Sequence, residues 1–362
     1  MYPNQVSVDY EVLASNFRLL QAVEPKTALV PVIKSDAYGH GAVETAQALI
    51  AAGAERLAVF RLEEAVYLRS RGIADVGIWV LLGALPDEAA VAARYDFTLV
   101  CYDLEQAAAL SRAATHDMTV HVAVDTGMGR LGFPVDKALV AIEAIRAMPH
   151  LRVRGICSHI ANAGNPEHPV TRRQTEGFRS LLAKLPPECT ENHSCASTAW
   201  LSRLLPELPF ARPGICLYIE TELPNGTRTR NAMTLKSRIV SLKRLPKGYS
   251  ISYNSRRTLE RDSLIGIAPM GYEDGYLRSL TDRSQALVRG KRVPLMGTVC
   301  MSMCMFDLTD VPGAAIGDEI VLMGSQGDDE ITVAELAAIA GTTEHELLCG
   351  IGRKRLESAP RI

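Results

Sequence analysis

Along the first two thirds of the chain, apolar residues fall into short unbroken runs separated by longer stretches with helical spacing. The runs lie at residues 28–33 (ALVPVI), 57–60, 78–82 (IWVLL), 97–101 (FTLVC), 120–124 (VHVAV) and 153–157, with later candidates at 191–195 and 215–218. They lack the polar alternation of a half-exposed sheet, so they predict strands covered on both faces. Between them, residues 10–23, 42–52, 63–71, 104–114, 136–148 and 171–184 carry amphipathic helical patterns. Asp9 and Asp103 stand where a helix is capped, and Gly53 and Gly72 where one ends. Repeated β-α units of about this count predict an α/β fold, a (β/α)8 barrel of the TIM type. A doubly wound sheet is the main rival. No early G-x-G-x-x-G follows a strand, which weakens its dinucleotide-binding form.

Near residue 225 the pattern changes. Pro224-Asn225-Gly226 reads as a turn, and helical periodicity then nearly disappears. Short strand-like runs follow at 237–242, 264–267, 286–288 and 320–322, with one helix near 333–339. The expected organisation is a barrel over residues 1–228 and a mostly β domain over 229–362, with the boundary between Leu223 and Met233.

Composition adds exclusions more than assignments. With 47% hydrophobic residues, 22% charged residues and a net charge of -2, nothing argues for nucleic acid or an anionic membrane as partner. The start, MYPNQVSVDYEVL, lacks a basic region followed by an apolar one, and no apolar run reaches transmembrane length. The eight cysteines are scattered without a CxxC pair. They read as reduced cytoplasmic thiols, mostly packed in the core, and no metal site is expected.

The sharpest local feature is Val30-Pro-Val-Ile-Lys34-Ser-Asp-Ala-Tyr38-Gly-His-Gly41. In a barrel, a lysine at the end of this strand sits on the C-terminal face, where catalytic groups collect. Partial desolvation there favours its neutral, nucleophilic amine. Spacing alone leaves open an ordinary surface lysine. Likewise Arg130 in VDTGMGRLG, His159 in CSHIAN and Tyr253 in ISYNS have bland readings: a solvated loop arginine, a structural histidine and a strand tyrosine.

The segment VIKSDAYGHG closely resembles the cofactor attachment motif of alanine racemases, and further motifs follow in the family order over nearly the whole chain. The resemblance implies that Lys34 carries pyridoxal 5'-phosphate as a Schiff base and that Tyr38 reaches its phosphate. It places Arg130 near the substrate carboxylate, suited to bidentate pairing. It sets His159 beside the cofactor ring, close to the catalytic tyrosine. Ser197, Gly214 and Ile215 become phosphate contacts, and Arg212 faces the pyridine nitrogen. A permanent cation there disfavours ring protonation, which suits racemisation over transamination. Fold-related decarboxylases usually present an acid at that point.

Racemisation needs proton-transfer groups on opposite faces of Cα. The resemblance gives these roles to Lys34 and Tyr253, and puts Tyr272 and the Met301 backbone amide at the substrate. In the family that tyrosine comes from the partner subunit, which implies a head-to-tail homodimer. The implied function is interconversion of L- and D-alanine, supplying D-alanine for peptidoglycan.

Five positions depart from the usual pattern. Ala123 stands where many members have a carbamylated lysine, Asn254 where glycine is common, Thr298 and Ser302 where arginine and aspartate are frequent, and Arg353 at a tyrosine position that touches the phosphate. Arg353 can still serve a phosphate. The altered lining motivates a rival, a broad-specificity or serine-preferring racemase. A decarboxylase and a non-catalytic cofactor-binding protein are weaker rivals, because Arg212 opposes the first and the β domain with Tyr253 and Tyr272 opposes the second.

Overall fold

The computed structural model describes residues 4–358 and divides them into two compact units. One runs from Leu13 to Arg230 except for Tyr38–Gly41. The other gathers the chain from Asn231 onward with the N-terminal segment through Val12 and with Tyr38–Gly41.

In the first unit, eight parallel strands follow one another around a sheet: Ala28–Leu29, Arg56–Val59, Gly77–Val80, Phe97–Cys101, Met118–Asp125, Leu151–Cys157, His193–Ala196 and Phe210–Arg212. The sheet closes on itself. Phe210 pairs with Ala28, and a bridge from Val32 to Ala58 joins the first strand to the second. This is the expected (β/α)8 barrel, and its strands are buried along most of their length, as the unbroken apolar runs require. The helices fall where the periodicity placed them, including Tyr10–Val23 and Leu104–Ala113. Asp9 and Asp103 cap these two by accepting from Val12 N (3.0 Å) and Gln106 N (2.7 Å).

One expected strand is wrong. Ile215–Leu217 forms a 3-10 turn, and the eighth strand is the earlier Phe210–Arg212, too short and too close to Pro209 and Pro213 to read as an apolar run.

The second unit is mostly antiparallel. Its largest sheet orders Gln5–Val8, Met233–Arg238, Glu319–Gln326, Gln285–Val288 and Lys291–Pro294, and a separate three-stranded sheet joins Ser241–Leu245, Ser263–Ala268 and Cys304–Asp307. The run at 237–242 is therefore two strands. The predicted helix appears as Val333–Ala340, but a second one, Glu344–Ser358, follows it. Among the described residues, no helix is long and apolar enough to cross a membrane. Six of the eight cysteines are buried.

Candidate active site

In the barrel unit the predicted site residues collect at the C-terminal ends of strands. Lys34 follows the first strand and is half-buried, its Nζ 5.6 Å from the centre of the Phe60 ring. The backbone then makes a left-handed turn: Ser35, Asp36, Ala37 and Tyr38 have φ of 55°, 53°, 54° and 54°. Such a conformation costs L-residues about 1–2 kcal/mol each. Local bonds hold it. Ser35 N donates to Glu64 Oε1 (2.6 Å), Ala37 N to the Ile33 carbonyl (2.9 Å) and Ala42 N to Asp36 Oδ1 (2.7 Å). The other oxygen of Glu64 accepts from Phe60 N (2.8 Å) and Arg61 N (2.9 Å), so one carboxylate ties the lysine turn to the next strand end.

Arg130 lies in the loop after Met118–Asp125. Asp125 Oδ1 accepts from Gly127 N (2.9 Å), Met128 N (2.8 Å) and Gly129 N (3.1 Å). Burial pushes this carboxyl up, but the surrounding backbone donors prevail and hold it below its ordinary value. Gly132 presses on the same strand: a Cβ there would meet the Ala123 carbonyl at 2.8 Å, with φ at 111°. The Arg130 guanidinium is exposed and, among the described residues, has no carboxylate within 4.0 Å. Ala123 instead packs in an apolar cluster with Val100 and Cys157.

His159 follows Leu151–Cys157. The buried Gln174 fixes its backbone, donating to the His159 carbonyl (3.0 Å) while accepting from Ala161 N (2.9 Å). Its ring is pushed down to about 4, first by burial and then by three cations, Arg212, Arg130 and Lys34. His159 is therefore neutral near pH 7, amid positive charge.

Arg212 ends the eighth strand and is 7% exposed. Its Nη2 donates to the carbonyls of Ser158 (2.7 Å) and Ser194 (3.3 Å). Ser197 Oγ accepts from Gly214 N (2.9 Å), which leaves the hydroxyl hydrogen available to donate. Ile215 begins the adjoining 3-10 turn.

The remaining candidates lie in the second unit. Tyr38 stands 5.6 Å, ring to ring, from His345 on Glu344–Ser358. Gly39 packs directly on Gly352 of that helix: a Cβ on Gly352 would lie 2.2 Å from Gly39 Cα. Arg353 is the next residue and is exposed, so Tyr38 and Arg353 belong to one neighbourhood. Tyr253, Tyr272 and Met301 form another. Ser252 Oγ accepts from Thr298 N (3.0 Å), Tyr272 N donates to the Cys300 carbonyl (3.0 Å), and Glu273 N donates to that of Met301 (3.1 Å). These bonds stitch three loops together, yet the side chains of Tyr253 (65%), Tyr272 (41%) and Met301 (56%) remain exposed.

Sequence reasoning missed a group inside the barrel: the buried His121, His193 and Trp79 with the partly buried Glu191. Its only signal was a histidine in each of two strand-like segments, at 120–124 and 191–195.

The family model for the alanine racemase N-terminal domain matches residues 8–222, and that for the C-terminal domain matches residues 232–359. The chain belongs to the alanine racemase family. It is 37% identical to an alanine racemase of Syntrophobacter fumaroxidans, over 98% of this chain and 96% of that one. It is 38% identical to another from Citrifermentans bemidjiense, over 98% and 97%. Among solved structures, the biosynthetic alanine racemase of Pseudomonas aeruginosa aligns with a TM-score of 0.88 at 32% identity, covering 97% of both chains. That of a D-cycloserine-producing Streptomyces lavendulae aligns at 0.88 and 31% identity, over 98% of this chain and 96% of that one.

Proposed function

We propose that this member of the family interconverts L- and D-alanine with pyridoxal 5'-phosphate held on Lys34. The observation that carries the reading is the convergence of Lys34, Arg130, His159 and Arg212 at the C-terminal ends of the barrel strands, where Arg212, Arg130 and Lys34 all push the His159 ring down. Cations at these strand ends fit a ligand bearing a phosphate and a carboxylate. Among the described residues, no cluster of His, Cys, Asp or Glu is arranged to hold a metal.

When bound, the cofactor supplies an electron sink that acidifies the α-proton of an amino acid. The chain's own groups do the rest. The Ser197 hydroxyl and the Ile215 amide donate to the phosphate, with the Gly214 amide orienting Ser197 and able to share its hydrogen. Tyr38 and Arg353 are further donors for the phosphate. Arg212 keeps a permanent cation at the ring nitrogen, so that nitrogen stays unprotonated. Arg130 and the Met301 amide take the substrate carboxylate, and Tyr272 lines the substrate space. Lys34 Nζ carries a proton on one face of Cα and Tyr253 Oη on the other. Tyr253 is supplied by a second copy in a head-to-tail homodimer, and the product D-alanine serves peptidoglycan synthesis in the cytoplasm.

A second reading keeps the fold and cofactor but changes the preferred substrate. It is favoured by Thr298, Ser302 and Arg353 in the lining and by an Arg130 with no carboxylate partner among the described residues. Initial rates on purified protein with alanine, serine, lysine and arginine decide between them. A higher kcat/KM on serine than on alanine replaces alanine as the substrate. Lys34→Ala is expected to abolish both the cofactor's protein-bound absorbance and racemisation, and survival of both would overturn the mechanism.

A further inference from the structure

Inside the barrel, a line of polar groups runs from the partly buried Glu191, near the N-terminal ends of the strands, through two buried histidines towards Arg212. Glu191 precedes the strand His193–Ala196, and its Oε2 lies 3.0 Å from His121 Nε2. His121 Nδ1 lies 2.9 Å from His193 Nε2. Both imidazoles are 0% exposed, and Trp79 stacks on His193 at 4.5 Å while meeting His121 edge-on at 4.8 Å. Arg56 Nη2 stands 3.9 Å from the other oxygen of Glu191. Among the described residues, His193 Nδ1 and Arg212 Nε are buried without a hydrogen-bond partner.

The proton positions follow from one end. An ionised carboxylate only accepts, so His121 Nε2 must carry hydrogen. The hydrogen bond from His121 holds the Glu191 carboxyl below its ordinary value against its partial burial, which keeps it ionised. Burial pushes His121 down and His193 well down, so both rings carry one hydrogen each. A singly protonated His121 has a bare Nδ1, which accepts from His193 Nε2. His193 Nδ1 is then a bare acceptor too. The remote carboxylate thus dictates an acceptor at the far end, where Arg212 Nε offers an unused donor. Among charged groups, Arg212 acts most strongly on His193. The two unused valences are complementary; they do not bond each other directly, and one shared water would satisfy both.

We propose that Glu191, His121 and His193 are positioning residues whose ordered tautomers give Arg212 Nε its acceptor and so hold the guanidinium in register. This rests on the reading in which Arg212 faces the pyridine nitrogen. If the register is lost, that nitrogen gains a proton more readily and the cofactor becomes a stronger sink. Alanine would then be diverted in part to pyruvate, with water supplying the carbonyl oxygen and the amino group retained by the bound cofactor.

The test uses the holoenzyme labelled with 15N at histidine and arginine. In the unsubstituted protein, His121 and His193 should both be neutral and protonated at Nε2. Glu191→Leu should mix the two tautomers of His193 and speed hydrogen exchange at Arg212 Nε on the order of tenfold. Pyruvate formed per racemisation should also rise on the order of tenfold, the change expected from one pKa unit at the ring nitrogen. If Glu191→Leu does not fold, His121→Phe breaks the same line and carries the same expectations. A His193 protonated at Nδ1 in the unsubstituted protein overturns the proposal, as does unchanged Arg212 exchange once the tautomers have mixed. These two readouts need no cofactor chemistry. Absence of bound pyridoxal phosphate would therefore sink the functional reading alone, whereas unchanged pyruvate with altered exchange would remove the link to the reaction.

Discussion

At the scale of single residues, the charge around His159 makes a pH prediction. The unfolded chain binds a proton near the ordinary 6.5, whereas the folded ring resists until about 4. Acid in that window therefore favours the unfolded state, and nothing is lost above it. Thermal stability should fall as pH drops from 6.5 towards 4, and His159→Gln should flatten part of that fall. An unchanged slope in the variant would place the loss elsewhere, with His121 and His193 the next candidates. Arg130 makes a different prediction. Only arginine presents a planar fork to a carboxylate, so Arg130→Lys should raise KM for alanine about tenfold and change kcat less. A kcat loss exceeding the KM change would give Arg130 a role beyond ground-state binding. Lys34, Arg130, His159 and Arg212 were legible because each directly follows a strand-like run or stands in a distinctive motif. The His121–His193 pair was not. Which face of a strand a side chain takes depends on register, and a shift of one residue would have sent either histidine outward.

At the scale of elements, the fold was readable wherever local pattern sufficed. Helix Tyr10–Val23 and the aspartate caps follow from periodicity and capping chemistry. The eighth strand did not, because Phe210–Arg212 exists through its pairing with Ala28 and His193, positions far away in sequence. The left-handed turn after Lys34 was equally hidden, since no glycine marks Ser35 through Tyr38. Its strain gives a paired prediction. Ser35 is exposed, so Ser35→Gly should leave stability unchanged or slightly raised, whereas the β-branched Ser35→Val should lower it by about 1–2 kcal/mol. Chemical denaturation of both variants measures this directly. Equal stability of the two would mean that the turn relaxes and stores no strain. Gly352 is constrained by neighbours instead. With its Cβ meeting Gly39 Cα at 2.2 Å, Gly352→Ala should cost about 1–3 kcal/mol and disturb the segment that carries Tyr38.

At the scale of the whole molecule, the candidate residues divide between two units. Lys34 belongs to the barrel, while Tyr253, Tyr272 and Met301 lie exposed on the other unit beside Met303 (51%). An exposed group of two tyrosines and two methionines is the composition of a surface meant to be covered. If a second copy covers it, each reaction centre takes Lys34 from one chain and Tyr253 from the other. Mixing two inactive proteins distinguishes this from a centre built within one chain. Lys34→Ala and Tyr253→Ala chains, unfolded together in equal amounts and refolded, give half hybrid dimers on statistical assortment. In a head-to-tail hybrid, one of the two centres regains both Lys34 and Tyr253, so the mixture should recover about a quarter of the unsubstituted activity. Were both residues drawn from the same chain, every centre would lack one of them and the mixture would stay inactive. The recovered fraction should also fall on dilution below the dimer's dissociation constant and return on concentration. Recovery that ignores protein concentration would point to a centre that needs no partner, and Tyr253 would lose its place opposite Lys34.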